Sequence, residues 1–142
     1  MIQHEMTIHL NHPVDQVFAY VADMHKLHTW QSNLIESEQL TDGPLRVGTH
    51  IREVRRMGRR PVDIRAEITD FAPNQRFATQ TTTDPRVTVT YDFAAEDGGT
   101  RLRYTFVMLT SGMMRLLQPL IAKAIKQQSN ADFATLKRVL EG

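Results

Sequence analysis

A chain of 142 residues is long enough to bury one core and short for two, and 41% hydrophobic with 23% charged side chains is ordinary for a globular domain. Seventeen Lys and Arg against sixteen Asp and Glu give a net charge of +1, so the whole-chain balance makes no case for nucleic acid or an anionic membrane. The absence of cysteine excludes disulfide scaffolds, thiolate metal sites and cysteine nucleophiles. No basic-then-apolar segment opens the chain, and no apolar run approaches the roughly 20 residues that span a bilayer. The expectation is one soluble, cytoplasmic domain over residues 1–142 with no integral membrane contact.

Ile2, His4, Met6, Ile8 and Leu10 share one parity and Gln3, Glu5, Thr7 and His9 the other, which predicts an opening strand with one buried face. In "NHPVDQVFAYVAD", Asn11 or His12 is placed to cap and Pro13 suits the first helical position. Val14, Val17, Phe18 and Val21 then recur at helical spacing, and the polar "DMHKLHTWQSN" follows. From about residue 34 to 109 the signals are all strand-like. "LIESEQL" ends at "TDGP", "THIREVRRM" at "GRRP", and "VDIRAEITDF" alternates with Val62, Ile64, Ala66 and Ile68 on one face. "RFATQTTT", "VTVTYDF" and "TRLRYTFVML" complete an antiparallel meander; Val87, Val89, Tyr91 and Phe93 share a side of their strand, and Leu102, Tyr104, Phe106 and Met108 share a side of theirs.

From Ser111 to Glu141 the period becomes helical, with Leu117, Ile121 and Ile125 in one stripe that Phe133, Leu136 and Leu140 resume. Pro119 either kinks this helix or marks its regular start. Ser111, before Gly112, reads as its cap. A curved antiparallel sheet with one apolar face needs a cover, and the last helix is the only large one available. The expected fold class is α+β: a seven-stranded antiparallel sheet wrapped around a long C-terminal helix, with two short helices near the N-terminus.

Four stretches carry a family resemblance. "HPVDQVFAYVADMHKLHTWQ", "VGTHIRE" at 47–53, "ITDFAPNQRF" at 68–77 and "DGGTRLRYTF" at 97–106 together resemble the polyketide cyclase/dehydrase and lipid-transport proteins of the START-like, Bet v 1-like (SRPBCC) superfamily. The resemblance covers essentially the whole chain and implies a helix-grip fold with an apolar cavity between sheet and helix. It does not by itself choose among carriers, cyclases, hydrolases and interaction proteins, which share the scaffold.

Other chemistry finds little support. The six histidines, at 4, 9, 12, 25, 28 and 50, include no His-Glu-x-x-His, and His25 with His28 makes two imidazoles without a third ligand, so no metal is expected. No Gly-x-Ser-x-Gly elbow is present, and the glycines of "DGGT" lead into a strand rather than a helix, so neither a serine hydrolase nor a phosphate loop is indicated. Arg52, Arg55, Arg56, Arg59, Arg60 and Arg65 crowd one hairpin. Without interleaved aromatics, and with Glu53, Asp63 and Glu67 among them, they read as a solvated strand edge rather than a nucleic-acid grip.

The remaining signal is apolar. Tyr91, Tyr104, Phe106 and Met108 point from the last strands toward the helix, Phe71 and Phe77 flank the preceding turn, and Trp30 is a lid or a packing anchor. Met113, Leu117, Ile121 and Ile125 line the helix face, and Gln128 is a polar point within it. His4 shares the inward parity, as a core histidine or a pocket proton donor. The expected function is binding of a small hydrophobic ligand such as a lipid or polyketide, without cofactor, a homodimer being compatible but not required. A cofactor-independent cyclase/dehydrase is the alternative, with catalytic residues unknown because the alternation brings no pair of ionisable groups into the cavity. An interaction module using the 52–65 hairpin is the third reading.

Overall fold

A computed structural model describes all residues, Met1–Gly142. Strand β1 is Ile2–Leu10, and helix α1, Val14–Ala22, follows it. The second predicted short helix is one 3₁₀ turn, Leu27–Thr29. Strands β2 (Leu34–Gln39), β3 (His50–Met57), β4 (Arg60–Ala72), β5 (Arg76–Thr81), β6 (Val87–Glu96) and β7 (Gly99–Met108) then run without interruption by helix. The chain ends with one turn, α2 (Met113–Leu116), and the long α3 (Gln118–Glu141).

The seven strands form one antiparallel sheet in the order β1-β7-β6-β5-β4-β3-β2. Five of the six neighbouring pairs are meander hairpins, and the sixth closes the ends of the chain on each other, with Ile2 opposite Met108 and Leu10 opposite Thr100. The β6–β7 hairpin turns on Asp97 and Gly98, at φ 48° and 77°. Positive φ at both central residues is the type I′ geometry that suits the twist of the flanking strands, and Asp-Gly tolerates it. Bulges between Leu34 and Glu36 in β2 and between Ile68 and Asp70 in β4 deepen the curl of the sheet.

The concave face can be read off the register. His4, Phe106, Val89, Thr79 and Ile68 lie in one cross-strand row, and Met6, Tyr104, Tyr91, Phe77 and Phe71 lie in the next. On α1, Val17, Phe18 and Val21 are buried, and the Phe18 ring meets Phe71, Phe77 and Phe93 edge-on at 5.6, 5.9 and 5.1 Å. On α3, only the second half is tightly held: Ser129, Asp132, Phe133 and Leu136 are buried.

Three local expectations are corrected. Neither Asn11 nor His12 caps α1; Pro13 is itself the N-cap, and the Asn11 N–H donates instead to Glu141 at the far end of α3 (2.9 Å). Ser111 makes no side-chain cap, since α2 starts from Gly112 at φ 55°. The C-terminal segment is broken at Leu117, and Pro119 lies in the first turn of α3, so the proline begins the regular helix rather than kinking it.

Candidate functional site

The aromatic residues named from sequence form one connected set. Phe71 and Phe77 pack under α1 through Phe18, and Phe77 stacks on Tyr91 at 4.6 Å. Tyr104 and Phe133 extend the set, with Tyr91–Tyr104 at 5.5 Å and Tyr104–Phe133 at 4.8 Å between ring centroids. Trp30 joins it at 5.3 Å from the Phe133 ring and is almost wholly buried, so it anchors the loop before β2 against α3. Its Nε1, a donor, is buried with no partner. Met108 is buried, and Phe106, Ile121 and Ile125 are half-buried. Met113 and Leu117 stand in solvent, 77% and 49% exposed, and do not close over the interior.

The parity of β3 carries a consequence missed in the sequence. Ile51 faces Ala66, Glu53 faces Ile64 and Arg55 faces Val62 across β3–β4, which puts Glu53 and Arg55 on the concave face with the apolar row of β4. Arg52 lies on the outer face, bonded to Asp63 (2.8 Å) and Glu36 (3.3 Å). The reading of the hairpin as a uniformly solvated edge is therefore wrong for Arg55, whose side chain is 19% exposed against 13% for Glu53. The signal lay in "HIREVRRM", where Ile51, Glu53, Arg55 and Met57 share one parity; charge density concealed it.

Arg55 is held from three sides. Its Nη2 donates to Glu53 (3.0 Å) and to Gln31 Oε1 (2.6 Å), and its Nη1 donates to Asn33 Oδ1 (2.9 Å). Gln31 is buried, so the planar guanidinium satisfies a buried amide and a largely buried carboxylate together. A second polar hub adjoins it. The backbone N–H and hydroxyl of Ser32 donate to Asp132 (3.2 and 3.1 Å), and Gln128 Nε2 donates to the Ser32 hydroxyl (2.6 Å) and to Asp132 (3.0 Å). Gln128 thus latches α3 to the loop before β2. The segment "WQSN" is the junction of sheet, loop and helix.

These groups act on the tyrosines. Burial is the main reason that the Tyr91 phenol is pushed well above its ordinary range, and Tyr104 adds to the effect while Arg55 opposes it. Burial also pushes Tyr104 up to about 12, against the opposing pull of the neighbouring Ser129 hydroxyl and of Arg55. Both are neutral hydrogen-bonding groups at neutral pH. His4 lies 6.4 Å from Tyr104, ring centre to ring centre, and its Nε2 is buried without a partner. Burial first, and Lys126 second, lower its pKa below the ordinary value, which favours the neutral imidazole. The expectation that no ionisable pair reaches the interior is overturned: Glu53, Arg55, Asp132 and His4 all border it.

The interior is not sealed. Ile64, Thr79, Val89 and Phe106 face the concave side by register, yet each is only partly buried. Two surface clefts lie elsewhere. One, of about 560 Å³, runs between α1 and β2 and is lined by Ala19, Ala22, His25 and Ser37; the other, of about 200 Å³, adjoins it and includes His28 and Leu34. His25 and His28 are exposed on these clefts, and no three metal-ligating side chains gather anywhere in the chain.

A curved antiparallel sheet closed on one long helix, with aromatic and polar side chains between them, is the helix-grip fold. The chain matches the polyketide cyclase/dehydrase and lipid transport family over residues 1–141 and belongs to it. Among curated proteins none matches by sequence. Among solved structures it is similar to TTHA0849 from Thermus thermophilus, at TM-score 0.81 and 18% identity over 96% of this chain and 94% of that one. Ara h 8.0201 superposes at TM-score 0.74 and 14% identity over 97% and 96% of the two chains. The di-domain ARO/CYC BexL from the BE-7585A biosynthetic pathway superposes at 0.77 and 18% identity, 99% of this chain covering 47% of that one. At these identities the likeness is one of fold.

Proposed function

We propose that this protein is a single-domain binder of a small, mainly hydrophobic molecule with one oxygen-bearing end, such as a lipid or a polyketide. One observation carries the reading. Ile64, Thr79, Val89 and Phe106 face the concave side of the sheet but are only partly buried, and Glu53 and Arg55 on the same face lie close enough to Tyr91 to act on its phenol. Residues such as Val89, Phe106, Ile121 and Ile125 would supply apolar contact, at about 25 cal/mol per Å² before the costs of binding are subtracted. Arg55 and the neutral phenols of Tyr91 and Tyr104 would orient the polar end. Membership of a cyclase and lipid-transport family supports this class of ligand without choosing within it.

An environment-sensitive apolar dye tests the reading. The wild-type protein should bind it, and Ile121→Arg, which places a charge on the half-buried face of α3, should abolish binding while the circular dichroism spectrum is retained. Undiminished dye binding by a folded Ile121→Arg protein would reject the interior site.

The cyclase reading gains from the same site. His4 beside Tyr104, with Arg55, Glu53 and Asp132 near the phenols, is the set of ionisable groups that proton transfer on a folded poly-β-ketone requires. Incubation with a linear poly-β-ketone thioester separates the two. Faster cyclisation than in buffer, lost in both His4→Gln and Arg55→Lys, would establish an enzyme; tight binding with unaltered substrate would leave a carrier.

A further inference from the structure

The beginning of the C-terminal helical segment is apolar on more than one side. Leu117, Ile121 and Ile125 continue the face that carries the buried Ser129, Phe133 and Leu136. Met113 and Leu116 on α2 and Leu120 in the first turn of α3 lie on either side of the break at Leu117, and they are 77%, 80% and 68% exposed. Leu109, 52% exposed, leads into them. Isolated exposed leucines need no explanation, but several large apolar side chains, exposed together within twelve residues of chain, do.

The charge around these side chains has one sign. From Ser111 to Ala131 the chain carries Arg115, Lys123 and Lys126, all exposed, and no acidic residue. The turn beside Leu109 adds Arg86, whose carbonyl accepts from the Leu109 N–H, and Asp84 is the one acid in that turn. The net charge of +1 conceals this local excess, because acids elsewhere are paired across the outer sheet face, such as Arg52–Asp63 and Arg103–Glu5.

We propose that Met113, Leu116 and Leu120, flanked by Arg115, Lys123 and Lys126, dock this protein on an anionic lipid surface. Apolar side chains projecting from a helix with a basic flank sink into the headgroup boundary while the cations meet lipid phosphates. A second copy of the chain fits less well, since a twofold contact through these side chains would bring the same cations face to face. The attachment is peripheral, as no helix is long and apolar enough to cross a membrane.

Co-sedimentation with phosphatidylcholine vesicles, with and without an equimolar share of phosphatidylglycerol, tests the proposal. Binding should require the anionic lipid and weaken as salt is raised. Lys123→Gln and Lys126→Gln should each weaken it by about fivefold. Leu116→Glu with Leu120→Glu should abolish it while the fold and interior dye binding are unchanged, which separates this surface from the interior site. Equal binding to neutral vesicles, or undiminished binding by the double glutamate variant, would overturn the proposal. So would a wild-type protein that ignores both vesicles and sediments as a dimer dissolved by the same variant.

Discussion

Arg55 stands among five other arginines of one hairpin, and nothing in residue type distinguishes it from them. What does is the side of β3 on which it falls. Placed inward, its guanidinium bonds Glu53, Gln31 and Asn33, so truncation would strand a carboxylate and an amide that solvent barely reaches. Arg55→Ala should cost about 2–4 kcal/mol in urea denaturation, and Arg56→Ala, on an exposed neighbour, within about 0.5 kcal/mol. Equal costs would mean that the inward pair does not stabilise the fold. The titrating residues make a second prediction, with opposite signs. Because Tyr91 and Tyr104 are raised, their contribution is complete below pH 10 and is lost as pH climbs from 10 through the Tyr104 value of about 12. Because His4 is lowered, its contribution is present above pH 6.5 and is lost as pH falls below that value. Melting temperature against pH should therefore fall at both ends, and His4→Gln should flatten the acidic limb alone.

At the scale of elements, α3 divides into two halves with different physics. Its second half locks to the rest of the protein through Phe133, Leu136 and the Gln128–Ser32–Asp132 hub. Its first turns, with α2, carry large apolar residues that the sheet does not cover. Leu136 has no exposed surface, so Leu136→Ala should destabilise by about 2–5 kcal/mol, through lost transfer energy and the cavity left behind. Leu120→Ala should change stability by less than about 0.5 kcal/mol. Calorimetric unfolding of the two variants checks the contrast, and a large loss in the second would show that Leu120 packs against the fold.

Across the whole molecule, closure depends on residues far apart in sequence. Ile2 pairs with Met108, and the N–H of Asn11 bonds Glu141. Such pairings incur their loop-closure entropy before their contacts form, so refolding should proceed in milliseconds to seconds rather than microseconds. Stopped-flow refolding checks this, and a submillisecond single phase would contradict it. The same closure makes the interior: bringing β1 beside β7 sets His4 near Tyr104, while the curl of β2 and β3 carries Glu53 and Arg55 toward Tyr91.

By itself, the amino-acid sequence determined the architecture. Period-2 alternation, turn residues and a final helical stripe are local signals, and the strands of β1 and β4–β7 follow them closely. Family membership was legible for the same reason, since its motifs are mostly turn chemistry. The polar half of the site was not, because burial is a property of register and curvature rather than of residue type. Glu53 and Arg55 read as surface charge until pairing with β4 turned them inward, and Met113 and Leu117 read as cavity lining until the break before Pro119 left them in solvent. Trp30 read as a lid or a packing anchor; only the packing of α3 against it made it the anchor, and made Gln31 and Ser32 the ties between helix and sheet.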